Sequence, residues 1–363
     1  MRTLEKLTIK GFKSIRDQTL ELERLNVFIG GNGVGKSNLI GAFRFLHEVI
    51  NQRLAKYVAT RGGADSILHF GRKRTPRMEF FLEFGEGATS NSYSLLIDGA
   101  EDSSLVIANE ISYYHERQKY PHPYSNIVSG YTKESKLRDN GHISAKQVSK
   151  DLDTYRVYHF HDTSETAAAK GVCDLEDNLV LRPQAENLAA FLYYLQEKHP
   201  DHFSLIEDTV SQIAPFFDGF VLKPSRLNES KIRLEWKESG HDGYFNATSL
   251  SDGTLRFICL ATLLLQPDLP AVVLLDEPEL GLHPAAVALL ADLLSAASER
   301  TQVIVGTQSV TLINHLTPEQ VWTVNREGDQ SVFLKLNQSD FSTWLEDYSL
   351  GELWEKNLIK ARP

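Results

Sequence analysis

Cysteine is nearly missing from this chain: Cys173 and Cys259 are the two found in 363 residues. Two thiols cannot form a disulfide framework, and no Cys-x-x-Cys pair is present to hold zinc or run a redox cycle. Long apolar runs are missing too, since none approaches the roughly 18 residues that a membrane span requires. The opening residues, Met1 to Lys6, contain no signal-peptide hydrophobic stretch. The expectation is a cytoplasmic protein without a membrane partner. Heptads, internal repeats and low-complexity tracts are absent as well, which removes coiled-coil and solenoid architectures. What is present is ordinary core material. Hydrophobic residues make up 42% and charged residues 24%, enough to exclude global disorder and to fill about two domains, or one domain carrying a lobe.

Charge is unevenly spread. Residues 1–80 hold 15 Lys/Arg against 7 Asp/Glu, a balance of +8, so the net of −10 leaves −18 for the rest. A protein that coats nucleic acid would be basic throughout, and this one is not. The basic N-terminal section is suited to phosphate, whether of a nucleotide or of a polynucleotide.

The first thirty residues read as strands over Leu4–Ile9, Thr19–Leu22 and Leu25–Ile29. Glycines follow, and Leu39, Ile40, Phe43, Leu46 and Val49 then recur at helical spacing. Strand-like segments return over Met78–Phe84, Ser92–Ile97 and Leu105–Ile111. Residues 116–152 are polar and are expected to be a mobile excursion. Tyr155–Phe160 and Lys231–Trp236 read as strands, and Glu186–Lys198 and Phe203–Phe217 as helices. In the last third a helix from Ser251, a strand over Ala271–Leu275, a helix over Ala285–Ala297 and a strand over Gln302–Val305 alternate. Such alternation predicts a parallel sheet covered on both faces.

Three motifs carry chemistry. Gly30–Ser37 reads Gly-Gly-Asn-Gly-Val-Gly-Lys-Ser and fits G-x-x-x-x-G-K-[ST] between a strand and a helix. Gly30, Asn32, Gly33, Gly35 and Asn38 belong to a turn whose backbone N–H groups can converge on phosphate oxygens. Lys36 would neutralise their charge, and Ser37 would hold Mg²⁺. Five apolar residues, Ala271–Leu275, deliver Asp276 and Glu277 to a sheet rim. There Asp276 can join the Mg²⁺ shell and Glu277 can orient or deprotonate the attacking water. Ser251 and Gly253, at a predicted helix start 25 residues before Asp276, offer a second anion-binding end.

In this order, Gly30–Ser37, Leu250–Thr254, Leu274–Pro278 and the Glu-Leu-Gly-Leu-His-Pro of Glu279–Pro284 resemble an ABC-type ATPase. Within that group the chain resembles the SMC/RecF-like AAA family ATPases, in the short branch related to overcoming-lysogenization-defect proteins. Leu7–Ser14, Asn187–Ala190 and Tyr348–Trp354 support the same resemblance. It implies an α/β fold: a P-loop NTPase head of ABC type with a β-rich N-terminal part and an inserted α/β lobe. The expected division is 1–84 for the first part of the head, 85–240 for the lobe and 241–363 for the second part.

The resemblance further implies ATP and Mg²⁺ as cofactors and a homodimer that sandwiches ATP. Lys36 and Ser37 of one copy would then face Ser251 and Gly253 of the other. Lys13 is expected near the nucleotide. Implied partners are double-stranded DNA and a small effector such as a TOPRIM-like nuclease, in DNA repair or phage defence. Long coiled-coil arms and zinc-hook cysteines of full-size relatives are missing, and no nuclease domain is expected in the chain itself.

Two positions depart from the family pattern. Its usual switch histidine falls at Gln308, which can hydrogen-bond a γ-phosphate or water but carries no charge, so slow turnover is expected. No Q-loop glutamine is evident where Ser66–Arg72 lies. His69 there reads as a structural histidine. His159 and His161 sit at alternate strand positions, but without a third ligand nearby a metal pair is not expected. Arg72, Arg74 and Arg77 read as a solvated turn rather than a track for a phosphate backbone. The reading is therefore a slow Mg²⁺-dependent ATPase acting as a dimerisation switch. The alternatives are an ATP-gated scaffold for a toxin or nuclease and the nucleotide-binding subunit of a transporter.

Overall fold

The computed structural model describes residues 2–359, which leaves Met1 and the last residues of the 241–363 segment outside it. Antiparallel strands come first: β1 (Thr3–Phe12), β2 (Ile15–Glu21), and then β3 (Leu25–Ile29), which leaves for another sheet. Helices α1 (Lys36–Ile50) and α2 (Leu54–Thr60) follow. The strands β4 (Arg77–Glu86), β5 (Thr89–Gly99), β6 (Leu105–Glu116) and β7 (Tyr124–Ser129) then extend the first sheet, whose order is β2-β1-β4-β5-β6-β7. After helix α3 (Ile143–Asp153) the chain enters the second sheet through β8 (Tyr155–Tyr158).

Two small sheets intervene. One pairs β9 (Val172–Asp174) with β11 (Lys231–Arg233), and the other runs β10 (Phe217–Val221), β12 (Glu235–Glu238), β13 (Tyr244–Asn246). Around them lie α4 (Leu188–Lys198) and α5 (Pro200–Ile213). The closing third supplies α6 (Asp252–Leu265), β14 (Val272–Asp276), α7 (Pro284–Ser298), β15 (Gln302–Thr307), β16 (Val321–Glu327) and β17 (Gln330–Lys335). The second sheet has the order β17-β16-β3-β15-β14-β8; its neighbours pair in parallel except for the β16–β17 hairpin.

The alternation of side chains along the parallel strands explains the layering. Val272 and Leu274 enter one hydrophobic cluster, and Val273 and Leu275 enter the other. On one side α6, α7, α4 and α5 cover the sheet. On the other lies α1, and beyond α1 lies the antiparallel sheet, so this helix is buried on two flanks. Phe45 meets Phe12 and Phe80 of the antiparallel sheet at 5.5 and 5.6 Å between ring centroids. Phe43, two residues away, meets Tyr155 of β8 at 6.2 Å.

Several expectations for the middle of the chain change here. Residues 85–240, expected as one inserted lobe, are divided between layers. β5–β7 widen the first sheet, β8 is the edge of the second, and α4 and α5 pack near α6. Residues 116–152 are not a free excursion, because β7 pairs with β6 and α3 buries Ala145, Val148 and Leu152. The strand expected over Lys231–Trp236 breaks at Leu234 into β11 and β12, which join different sheets. Helix α5 stops at Ile213, four residues before Phe217, which instead begins β10.

A buried carboxylate ties β7 and its following loop in place. Glu110 on β6 is fully buried and accepts hydrogen bonds from Tyr93 Oη (2.6 Å), Ser135 Oγ (2.5 Å), Ser129 Oγ (2.7 Å) and the Lys136 N–H (3.0 Å). Deleting it leaves several buried donors without acceptors, each costing about 1–3 kcal/mol. Glu110→Ala should therefore lower the free energy of unfolding by about 3 kcal/mol or more, measured by urea denaturation. Glu110→Gln, which keeps the shape, should lose less.

Candidate functional site

Register brings four strand ends to one rim. Ile29 pairs with Thr307, Gly306 with Asp276, and Leu275 with Tyr158. The carboxyl ends of parallel strands are where α/β sheets present ligand-binding loops. Here the segments that follow β3, β14, β15 and β8 all emerge together.

After β3 the chain makes the Gly30–Ser37 turn into α1. Gly35 forms the N-cap at φ 120°, and a side chain there would collide with Ser331, so glycine alone fits. No side chain caps α1, which leaves its first N–H groups for an anion. Lys36 is buried, and its Nζ donates to the carbonyls of Gly30 (2.5 Å) and Gly31 (2.9 Å). Burial lowers its pKa, opposed by Glu277, Asp276 and Glu279. Ser37 Oγ donates to Asp276 Oδ1 at 3.4 Å. Asp276 is held above its ordinary value by burial and by Glu277, against the Ser37 bond.

One open cavity of about 140 Å³ is lined by Asn32, Gly33, Gly35, Lys36, Ser37, Asn38 and Glu277. The Glu277 backbone takes φ 46°, a conformation uncommon for a residue with a side chain, and its N–H is fixed on Gly306 O at 2.7 Å. Gln308 closes the arrangement. Its Nε2 donates to Asn32 Oδ1 (2.9 Å) and to Glu277 Oε1, joining the phosphate loop to the acidic strand end. Gly30 lies outside this lining but receives the Lys36 ammonium.

Lys13 lies elsewhere. Its Nζ packs beside the Phe12 ring and near Gly41 on the second turn of α1, in the company of Arg44 and Arg61. The next residue, Ser14, is the one that touches the loop region. It accepts from Asn38 Nδ2 and from Ser331 Oγ, each at 2.7 Å.

Ser251 and Gly253 stand outside the loop cavity. Ser251 is exposed and caps α6, its Oγ accepting from Thr254 N–H at 3.1 Å. Gly253 lies so close to Gly281 O that a Cβ would come within 2.8 Å of it. Gly281, at φ 75°, in turn lies under the Arg256 guanidinium. Arg256 is buried and donates from Nε to Phe160 O (2.9 Å) and from Nη2 to His161 O (3.0 Å).

Sequence reasoning missed this Arg256 clamp, the bridging by Gln308 and the setting of His161. His161, Asp276, Glu277 and Arg256 line one small pocket. The signal for His161 was the strand Tyr155–Phe160 itself, which ends at the same rim as β14. His159 instead receives a hydrogen bond from Arg44 Nη2 at 3.1 Å. Among the described residues no cluster of three or more His, Cys, Asp or Glu could hold a metal. His69 is buried and donates from Nδ1 to Lys13 O at 2.6 Å. Arg72, Arg74 and Arg77 are paired with Asp65, Asp329 and Asp98.

The fold of this chain is that of SMC head domains. An SmcHead bound to the C-winged helix domain of ScpA superposes with a TM-score of 0.54 at 20% identity, covering 93% of this chain and 99% of that one. The Pyrococcus furiosus Smc head with an extended coiled coil, bound to the C-terminal domain of ScpA, gives 0.53 at 18% identity, covering 96% and 99%. The Pyrococcus yayanosii Smc head with a coiled coil and joint gives 0.53 at 14% identity, with the same coverage. No curated protein matches the chain. Architecture and family model together define an AAA domain with the fold of an SMC head. The chain belongs to the family described as "AAA domain, putative AbiEii toxin, Type IV TA system", whose pattern matches residues 25–314. No helix of the described residues is long and apolar enough to cross a membrane.

Glu279 yields a test of the electrostatics. Its Oε1 accepts from Thr307 Oγ1 (2.5 Å) and from the Gln308 N–H (3.3 Å), while Oε2 is buried without a partner. Burial raises its pKa. A carboxyl group with a raised folded-state pKa binds more protons folded than unfolded, so its contribution to stability falls as pH rises through that window. Glu279→Gln, which mimics the protonated form, should raise Tm at neutral pH. The gain should shrink as pH falls from neutrality through the raised pKa toward the ordinary glutamate range, and be gone below it, as read by thermal melts across pH.

Proposed function

We propose that the protein is a Mg²⁺-dependent ATPase that works as an ATP-closed homodimer. The observation that carries this reading is an incomplete site. Phosphate loop, Asp276, Glu277 and Gln308 converge on one rim, whereas the capped helix start at Ser251 and Gly253 stands exposed outside the loop cavity. A second copy, placed head to tail, would bring that helix start onto the exposed side of the phosphates.

The donors suit the ion. Ser37 Oγ and Asp276 Oδ1 are hard oxygens already 3.4 Å apart at the loop, the donor type that Mg²⁺ prefers. When bound, Mg²⁺ would offset charge on the β- and γ-phosphates. Lys36 exchanges its two carbonyl acceptors for phosphate oxygens, and the uncapped N–H groups of α1 hold the rest of the anion. Glu277 Oε1, positioned by Gln308, accepts the proton of the attacking water. Closure and opening of the dimer would signal to DNA or to a small effector such as a TOPRIM-like nuclease, in a DNA repair or defence setting. The ion pairs of Arg72, Arg74 and Arg77 argue against that turn as a DNA contact.

Glu277→Gln should bind ATP with little change and hydrolyse it about a hundredfold or more slowly, the usual worth of a positioned general base. Equilibrium binding and phosphate release, with and without double-stranded DNA, give the two numbers, and light scattering on the same samples gives the mass. Unchanged turnover overturns the role of Glu277, and a monomer in saturating ATP overturns the dimer.

The second reading is an ATP-held scaffold in which turnover matters little. It is favoured by Gln308, which is uncharged and already bonded to Asn32 and Glu277. Gln308→His should accelerate phosphate release if the missing charge limits turnover. An unchanged rate would favour the scaffold.

A further inference from the structure

A second cavity flanks α1, apart from the phosphate-loop cavity. It holds about 360 Å³ between α1, α2 and β8, within the range of small-molecule sites. The α1 residues that line it are Phe43, Arg44, His47 and Glu48. Arg44 is eight residues beyond Lys36, which places it about 12 Å along the helix axis from the loop.

The lining combines two chemistries. Phe43, Tyr57, Tyr155, Val157 and Pro183 give flat and apolar wall. Arg44, Arg61 and Arg156 give positive charge, and their charge is not cancelled locally. The one carboxylate in the lining, Glu48, is taken by both Nε and Nη2 of Arg53 at 2.7 Å. Arg61 has no carboxylate partner among the described residues and lies 5.4 Å from the Tyr57 ring centroid. Arg44 donates to an imidazole, His159 Nδ1, rather than to an acid.

That bond fixes the tautomer of His159. A guanidinium only donates, so Nδ1 accepts and the proton sits on Nε2. Burial, Arg44 and His161 hold the pKa of His159 down to about 4, which keeps the ring neutral in that form. Its Nε2 is buried and has no partner. The cavity therefore presents guanidinium donors beside an aromatic wall, with Arg44 held in place by the His159 ring behind it. Acceptor-rich anions on a flat ring system match this set, since Arg favours phosphate and stacks on aromatics.

We propose that this cavity is a second nucleotide site, which takes a nucleoside monophosphate independently of the phosphate loop. The phosphate sits between Arg44, which His159 positions, and Arg61, and the base lies against Tyr57 and Phe43. A monophosphate is the diagnostic ligand because the phosphate loop grips β- and γ-phosphates, which a monophosphate lacks.

The test is calorimetric titration of AMP, GMP, CMP and UMP into the full chain, with and without saturating Mg²⁺ and AMPPNP. At least one monophosphate should bind, at the same affinity whether AMPPNP is present or absent, and Lys36→Ala should leave that binding intact. Arg61→Gln and His159→Gln should each weaken it about tenfold or more. The Arg61 side chain makes no hydrogen bond among the described residues, and a melting curve for each variant separates lost binding from lost structure. If none of the four binds where AMPPNP saturates its own site, the proposal is overturned. It is equally overturned if AMPPNP displaces the monophosphate, which would make the cavity part of the ATP site. Failure of the wild type to bind AMPPNP would count against the ATPase reading and leave the monophosphate result to stand by itself.

Discussion

A helix buried on two sides must still leave its first turn open, and most of this molecule follows from that demand on α1. Its flank with Phe45 needs one apolar surface and its flank with Phe43 needs another, so two sheets of different kinds are required. Burying large side chains such as these is worth about 1.5–3 kcal/mol apiece. The helix is thereby fixed in position, and the direction of its N-terminus is fixed with it. An anion arriving at Gly33–Ser37 meets a rigid dipole end rather than a loop that must first be ordered.

The rim around that helix end is crowded with acids. Asp276, Glu277 and Glu279 all favour the charge on Lys36, which its burial opposes, and burial likewise opposes the charge on Asp276 and Glu279. The arrangement holds because each carboxylate has a specific donor. Ser37 serves Asp276, Gln308 serves Glu277, and Thr307 serves Glu279. Residues from β3, β14 and β15 thus depend on parallel register for their polar partners as well as for their packing.

The phosphate loop, the acidic strand end and the alternating last third were legible because each is local: a fixed spacing, an apolar run, a period. The inner flank of α1 was legible from Leu39, Ile40 and Phe43, whereas the outer flank with Ala42 and Phe45 belongs to a sheet that no local period announces. Residues 116–152 looked mobile because their polarity is high. Yet Ala145, Val148 and Leu152 carry a short helical stripe, and the serines that read as loop composition are donors to Glu110, far back in the sequence. Polar residues near one another in sequence say nothing about an acceptor supplied from another strand. For the same reason His161 could not be placed beside Asp276, since that contact exists only through the pairing of β8 with β14. Lys13 shows the converse: a motif fixed its place in the chain, but its side chain went to α1 beside Arg44 and Arg61.

Arg256 makes three separated pieces of chain behave as one body. Its fork spans the carbonyls that follow β8, its flank presses on Gly281, and it rides on the same helix whose first turn begins at Ser251. Guanidinium bonds to backbone leave little slack, because the groups they grip have no side-chain rotamers to absorb a displacement. A push on the exposed start of α6 is consequently transmitted as a shift of the rim itself, and a force at the rim returns to the surface by the same lever. Stiffness here runs crosswise to the sequence.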